Sequence, residues 1–341
     1  MKKIIRNVCI VCFLLLCLLG LYLMPQLRTI CSVKKVSDQG LYTMVYQADY
    51  KLESLRNANL SSASQLEQWI SKNLFFGYPI EADETKFGCT TFLAKNKEGD
   101  SIFGRNYDYD TTEPMVIFSQ PKNGYKSIGV ADLSFIGVDQ DCPADSLLGR
   151  ITSLASPVVT LEGMNEKGLG IAILELETEE IHQDQNKPDL LIYNVPRLIL
   201  DTCQSVEEAT ELLATYDIHS DFNYPYHFFI CDKSGKSRVV EWVENEMVVV
   251  EDNCATNFQL APGKEYGFGI GQERYDIVKE GLKKEAIDEK QAMMLLEDAV
   301  SVWNGDWGTQ WSCVFNLEKL TLDICIDVDY SKSYSFSFND F

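Results

Sequence analysis

Positive charge is what this chain is shortest of. Its 341 residues carry 30 Lys+Arg against 51 Asp+Glu, a formal net charge of −21. That balance excludes nucleic acid or an anionic lipid surface as the main partner, because both are bound through a basic face. Histidine is scarcer still. His182, His219 and His227 are the only three, and they show neither metal-ligand spacing nor an HExxH context. Each reads as a surface or hydrogen-bonded structural residue, and no metal centre is expected. With 21 Gly and 10 Pro, the chain has too little of either for a collagen-like or linker-like protein. Internal repeats are missing. Gly267-x-Gly269-x-Gly271 lacks the preceding strand and following Lys-Ser/Thr of a phosphate loop, and Asp108 and Asp110 lack EF-type spacing. A hydrophobic content of 45% with 11% aromatics excludes disorder. What remains is an acidic globular protein, an enzyme or a binding domain, in one large domain or two small ones.

Cysteine is plentiful, with 11 residues, yet it forms no framework. Cys9, Cys12 and Cys17 sit in an apolar N-terminal run. Cys31, Cys89, Cys142, Cys203, Cys231, Cys254, Cys313 and Cys325 are widely spaced, so a disulfide scaffold is not indicated. Most read as small buried apolar residues.

The N-terminal stretch is a different material. Lys2, Lys3 and Arg6 precede an apolar run from Val8 to Met24, which Pro25 ends, and no small-x-small cleavage site follows. The 17-residue run is at the short edge of what spans a bilayer. Residues 1–31 are therefore expected to be a signal anchor or signal peptide. Residues 8–24 would contact the membrane, with the acidic body outside the cytoplasm or secreted. Residues 32–88 are polar, with one helical patch from Ser62 to Leu74 and no strand alternation; they read as a prosegment.

From Cys89 onward the texture is that of strands. Cys89–Ala94 and Ser101–Tyr107 read as a hairpin, Val158–Leu161 and Leu169–Leu176 as a second. Strands are also expected at 227–231, 237–243, 247–250, 310–316, 320–328 and 333–338. Helices are expected at 190–203, 206–216, 272–285 and 289–303, with Ser205 and Glu208 in a capping-box pattern. Strand blocks alternating with helix pairs predict an α+β fold of antiparallel sheets covered by helices. In the first hairpin Cys89 should face the stretch Arg105-Asn-Tyr-Asp108. A guanidinium beside a thiol favours thiolate, and a carboxylate there holds a protonated amine.

Five blocks in order carry a family resemblance. Gly88-Cys89-Thr-Thr-Phe-Leu, Phe103-Gly-Arg105-Asn106-Tyr-Asp108, Gly163-Met-Asn-Glu-Lys-Gly-Leu-Gly170, Thr256-Asn257 and Glu273-Arg274-Tyr275 resemble the choloylglycine hydrolase family. Its linear-amide C–N hydrolases include bile salt hydrolases and penicillin V acylases and, more distantly, acid ceramidase-like amidases. The resemblance covers residues 89 to about 338. It implies an N-terminal-nucleophile αββα four-layer sandwich over residues 89–341, exposed at a new N-terminus by cleavage before Cys89. Cys89 would be the nucleophile, with its freed amine as general base. Arg105 would stabilise the thiolate, Asp108 would orient the amine, and Arg274 would brace the site. Asn257 and the backbone N–H at Glu175 would form the oxyanion hole. The family requires no metal or organic cofactor, and the implied partner is a small acyl-amide substrate.

Two departures from the family pattern bear on function. Bile salt hydrolases begin at Met-Cys, whereas 88 residues precede Cys89 here, so a cut at Gly88–Cys89 is expected, by attack of the thiol on the Gly88 carbonyl. Glu175 stands where bile salt hydrolases carry Asn. Its carboxylate would repel anionic substrates, which weakens bile salts and penicillin as assignments. The expected function is hydrolysis of a linear amide with an apolar acyl group. Bile salt hydrolase or penicillin V acylase is the alternative within the family, and a non-catalytic exported binding protein the alternative of another class. Trp303, Trp307 and Trp311 pack or line an acyl pocket.

Overall fold

A computed structural model describes residues 2–75, 77–78, 88–221, 225–302 and 308–340. Lys2–Cys31 forms one helix, and its Ile4–Cys31 part is long and apolar enough to cross a membrane, with none of its most apolar window buried. The helix continues past Pro25, where the sequence suggested a stop. Proline costs the helix only its own N–H bond and local clashes, and here the lower turns gain tertiary contacts. Thr29 Oγ1 donates to Pro25 O at 2.9 Å and accepts from the backbone N–H of Gln47 and Ala48, each at 2.9 Å.

Two antiparallel-rich sheets face each other. Among the described residues the larger has nine strands, in the order Lys34–Lys35, Tyr42–Tyr46, Pro114–Ser119, Ser127–Asp132, Thr160–Asn165, Leu169–Glu175, Tyr226–Asp232, Ser237–Val243 and Glu246–Val250. The smaller has six: Cys254–Ala255, Gly88–Lys95, Ser101–Tyr109, Gly308–Asn316, Thr321–Ile326 and Tyr334–Ser337. The residues between them form the main core, where Phe103 of the smaller sheet stacks on Phe229 of the larger at 6.0 Å. The Val195–Thr202 and Val206–Leu213 helices cover the outside of the larger sheet. Gln272–Gly281 and Glu289–Asp298 cover the smaller one over a second core of Phe92, Ile102, Val278, Leu295 and Val314. The result is the four-layer αββα sandwich.

Several elements differ from the sequence reading. Residues 190–203 begin as a short strand, Asp189–Leu191, pass through a 3-10 turn at Ile192–Asn194 and are α-helical only from Val195. Ser205 caps its helix by accepting from Glu208 N at 3.2 Å, but the Glu208 carboxylate reaches Gln204 N rather than Ser205 N. Pro114–Ser119 and Ser127–Asp132 escaped detection because both are buried along their whole length, which removes the alternation that marks a half-exposed strand. Gly129 and Gly163 lie opposite each other in that sheet, and a Cβ on Gly163 would meet Ile128 O at 2.5 Å. Only glycine lets these two backbones approach so closely.

The segment before Cys89 is woven into the body. Tyr42–Tyr46 pairs in parallel with Pro114–Ser119 and alternates buried with half-buried residues. The helix expected from Ser62 spans Ala63–Leu74, with Ser62 as its cap, and buries Leu66, Trp69 and Ile70. Tyr50 donates its hydroxyl to Asp201 Oδ2 at 2.5 Å, and the other oxygen of Asp201 accepts from Arg197 at 2.5 Å. Both members of that ion pair are fully buried. Removing one partner leaves the other charge uncompensated, so Asp201→Asn is expected to lower the unfolding free energy by about 3–5 kcal/mol. Asp49→Asn, at an exposed pair with Lys51, should cost less than about 1 kcal/mol. Urea denaturation followed by tryptophan fluorescence measures both.

Candidate active site

The hairpin expected around Cys89 forms, with Gly88 opposite Asp108 and Cys89 opposite Tyr107. Because side chains alternate along a strand, this register sends the candidate residues to two faces. Cys89, Arg105 and Tyr107 point between the sheets, whereas Thr90, Asn106 and Asp108 point toward the helices. Asp108 therefore meets Cys89 through the backbone rather than side by side.

On the inner face, the Cys89 thiol is completely buried, 3.9 Å from Ile173 O. Arg105 is equally buried. Its Nη2 donates to Ile173 O at 2.9 Å and its Nε to Glu162 Oε2 at 3.3 Å. Its Nη1 is sealed from solvent with no hydrogen-bond partner among the described residues. An unused, charged donor beside a thiol is costly unless an anion forms there. Glu162 also accepts from Trp311 Nε1 at 2.5 Å, and Trp311 stacks on Tyr107 with ring centroids 4.1 Å apart. Tyr107 in turn donates to Asp132 Oδ2 at 3.3 Å. Trp311 is thus a packing residue that holds Glu162; Trp303 and Trp307 lie outside the described residues.

Burial pushes the Cys89 thiol up to about 12. Arg105 pulls it back, in the direction the sequence predicts, but desolvation outweighs the guanidinium here. Burial works against the charge on Arg105 as well, but Cys89 and Glu162 outweigh it and the net shift is upward, so the guanidinium stays charged. Burial also raises the Glu162 carboxyl, and Arg105 opposes that rise.

On the outer face one side chain gathers the rest. Arg274 Nη1 donates to Cys89 O at 2.5 Å, to Thr90 Oγ1 at 2.7 Å and to Asp108 Oδ2 at 3.1 Å. Its Nη2 donates to Asn257 Oδ1 at 2.9 Å. The other oxygen of Asp108 accepts from Thr309 Oγ1 at 2.6 Å. Arg274 starts from a tight turn. Gly271 has φ 91°, and a Cβ there would meet Arg274 Nη2 at 2.6 Å. Gly271, the last of the three glycines in Gly267-x-Gly269-x-Gly271, is thus the clearance for this arginine. Asn257 Oδ1 also accepts the backbone N–H of Cys89 at 2.6 Å, and its Nδ2 donates to Glu175 O at 2.9 Å. Asn257 therefore meets Glu175 at its carbonyl in this state.

All six residues singled out in the sequence converge on the start of the Gly88–Lys95 strand. Sequence reasoning missed Glu162, Thr90 and Thr309, whereas Trp311 takes the packing role that was one of its two readings. Glu162 immediately precedes the Gly163–Gly170 block, but only the facing of the two sheets shows that it meets Arg105. Among the described residues no group of three or more His, Cys, Asp or Glu could hold a metal ion.

Comparison with known proteins gives consistent likenesses. Residues 89–259 match the model of the linear amide C–N hydrolases, choloylglycine hydrolase family. A bile salt hydrolase/transferase of Clostridium perfringens is 29% identical over 174 residues, covering 48% of this chain and 51% of that protein. The chain thus spans about half the length of the curated relative it matches. Among solved structures, a mutant conjugated bile acid hydrolase from Clostridium perfringens superposes with a TM-score of 0.55 at 21% identity. It covers 74% of this chain and 93% of that one. A penicillin V acylase from Agrobacterium tumefaciens gives 0.52 at 17% identity, over 74% and 87%. These structural likenesses are of fold.

The carboxyl pair behind Tyr107 generates a pH dependence. Burial raises Asp132 to about 6, and burial together with Asp132 raises Glu113 to about 7. A carboxyl raised in the folded state stabilises the fold below its unfolded value, about 4.3 for glutamate. That contribution disappears as pH climbs through the folded value. Glu113→Gln stays neutral throughout, so its thermal midpoint relative to the parent should rise between pH 4 and pH 8. Thermal unfolding across that range measures it; a constant difference would show that Glu113 does not titrate there.

Proposed function

Because this chain belongs to the linear amide C–N hydrolases of the choloylglycine hydrolase family, we propose that it hydrolyses the linear amide of a small N-acyl substrate through a thioester on Cys89. The observation that carries this reading is the convergence of Cys89, Arg105, Asp108, Asn257 and Arg274 on one strand start, with an unpartnered guanidinium nitrogen beside the thiol.

The reaction begins with a cut at Gly88–Cys89. The thiol adds to the Gly88 carbonyl carbon, whose lack of a side chain leaves it unhindered. The amide C–N bond breaks to give a thioester and a free Cys89 amine. Water then hydrolyses the thioester, leaving a Gly88 carboxylate and restoring the thiol. The new amine, with a reference pKa of about 7.7–8.0, supplies the proton acceptor that the buried thiol of the uncut chain lacks. It takes the thiol proton as sulfur attacks the substrate carbonyl, and delivers it to the leaving amine. Arg105 Nη1 is the donor for the transient thiolate. Asp108, held by Arg274 and Thr309, orients the amine. The oxyanion receives a hydrogen of Asn257 Nδ2, whose NH2 has two, and the backbone N–H at Glu175. Water finally hydrolyses the acyl thioester.

The Ile4–Cys31 helix would hold the body at a membrane, with a secreted form as the alternative. Residues 32–88 would stay with the body after the cut, because Tyr42–Tyr46 is hydrogen-bonded into the larger sheet. For the substrate, acyl amides with an apolar acyl group remain the first reading; Glu175 shares its strand face with Tyr226, which meets Tyr193 on the helix side of the larger sheet, so its side chain does not bear on substrate charge. The bile salt hydrolase/transferase relative keeps bile conjugates as the second reading.

Cys89→Ala is expected to abolish both chain cleavage and amide hydrolysis, and Cys203→Ala neither; intact mass and amine release read the two. Asn257→Ala should lower turnover by about 10²–10³. The substrate panel is N-acylethanolamines, N-acyl amino acids, bile conjugates and penicillin V. In the parent, the pieces 1–88 and 89–341 should co-elute on gel filtration and separate only in denaturant. A fully active uncut chain would overturn the proposal.

A further inference from the structure

The pair His227–Glu241 lies outside the chemistry assigned above, yet it is completely buried. His227 Nδ1 is 2.7 Å from Glu241 Oε1, and His227 Nε2 is 2.7 Å from the carbonyl oxygen of Thr256. Both ring nitrogens thus face acceptors. Glu241 also accepts the backbone N–H of Leu260 at 3.0 Å and of Ala261 at 2.5 Å. A carboxylate fed by those donors keeps its negative charge, so the proton between the two side chains resides on the ring. A neutral imidazole protonated only at Nδ1 would set the Nε2 lone pair against the Thr256 oxygen at 2.7 Å, which is repulsive. The bond to Thr256 therefore requires the doubly protonated ring. Around it, Glu241 stands opposite, Glu175 sits on the neighbouring strand beside Tyr226, and Arg274 lies beyond Asn257.

Thr256 is a junction. Ala255 before it pairs with Thr91 on the strand that begins at Gly88–Cys89, and Asn257 after it pairs with Ile270. His227 belongs to the other sheet, opposite Leu174 and next to the pair Tyr226–Glu175. The bond from His227 to Thr256 O consequently spans the two sheets at the point where the side chain of Asn257 leaves the backbone. The larger sheet carries the Glu175 backbone, Asn257 itself donates to Glu175 O at 2.9 Å, and the His227 bond is a second link across the same gap.

We infer that His227, held as an imidazolium by Glu241, is a positioning residue that ties Thr256 to the larger sheet and, together with the Asn257 bond, sets the spacing of the oxyanion hole between Asn257 and Glu175. The inference rests on the assignment of that hole under the proposed function. Removing the tie should slow acylation by about tenfold or more, since small misplacements of a stabilising donor are that costly, while leaving the reactivity of the thiol itself unchanged.

The test uses the purified full chain. Acylation is read from the p-nitrophenolate burst with p-nitrophenyl hexanoate, and thiol reactivity from alkylation of Cys89 by iodoacetamide, which forms no oxyanion. His227→Leu should slow the burst about tenfold or more, with alkylation changed less than about twofold. The double variant His227→Gln/Glu241→Gln keeps an N–H for Thr256 O and an uncharged contact between the two side chains, and should recover most of the loss. Independently of any substrate, 15N-histidine NMR at pH 7.5 should show both ring nitrogens of His227 protonated, the signal being assigned by its loss in His227→Leu. A neutral ring at that pH, or an equal fall in burst and alkylation, overturns the inference. A parent that fails to cleave the ester counts against the proposed function instead, and the NMR result then decides the tie alone.

Discussion

The guanidinium of Arg274 is the interaction on which the geometry of the site depends. From a helix outside the smaller sheet it reaches the Cys89 carbonyl, the Thr90 hydroxyl, the Asp108 carboxylate and the Asn257 amide oxygen. Cys89, Thr90 and Asp108 share one hairpin, but no local chain geometry fixes Asn257 relative to them. A planar fork of donors can hold them because its angles are rigid and its charge is permanent. The fork needs clearance, and the positive φ of Gly271 with its missing Cβ provides it.

The inner face obeys a different constraint. Arg105 and Glu162 are buried charges in a core of aromatic and aliphatic residues, and such a pair is retained at a desolvation cost. Here the pair leaves one guanidinium nitrogen unsatisfied next to the thiol. The same burial that raises Cys89 also makes any anion formed beside that nitrogen strongly held, because the surroundings screen little. Cys89 thus sits as a buried thiol in a setting that its guanidinium neighbour biases toward the charged form.

Much of the site was legible before any coordinates. A cysteine after glycine at a strand start, with an arginine and an aspartate on the returning strand, is a local pattern, and hairpin pairing follows from local turn chemistry. The five ordered blocks carried the family, which the match over residues 89–259 shows. Less legible were elements buried on every side, such as Pro114–Ser119, and elements that join a sheet from far away, such as Tyr42–Tyr46. Neither has a pattern of its own that differs from a loop or a generic apolar run.

By itself the sequence determined the acidic balance, the apolar N-terminal helix, the first hairpin and the identity of the residues that converge near Cys89, because each follows from composition or from neighbours along the chain. The tertiary structure alone decided which face of the hairpin each one occupies, that Glu162 meets Arg105, and that His227 reaches Thr256. It also decided that Tyr42–Tyr46, far ahead of Cys89, joins the larger sheet. Those facts depend on register and on how two sheets face each other, and sequence separation carries no record of either.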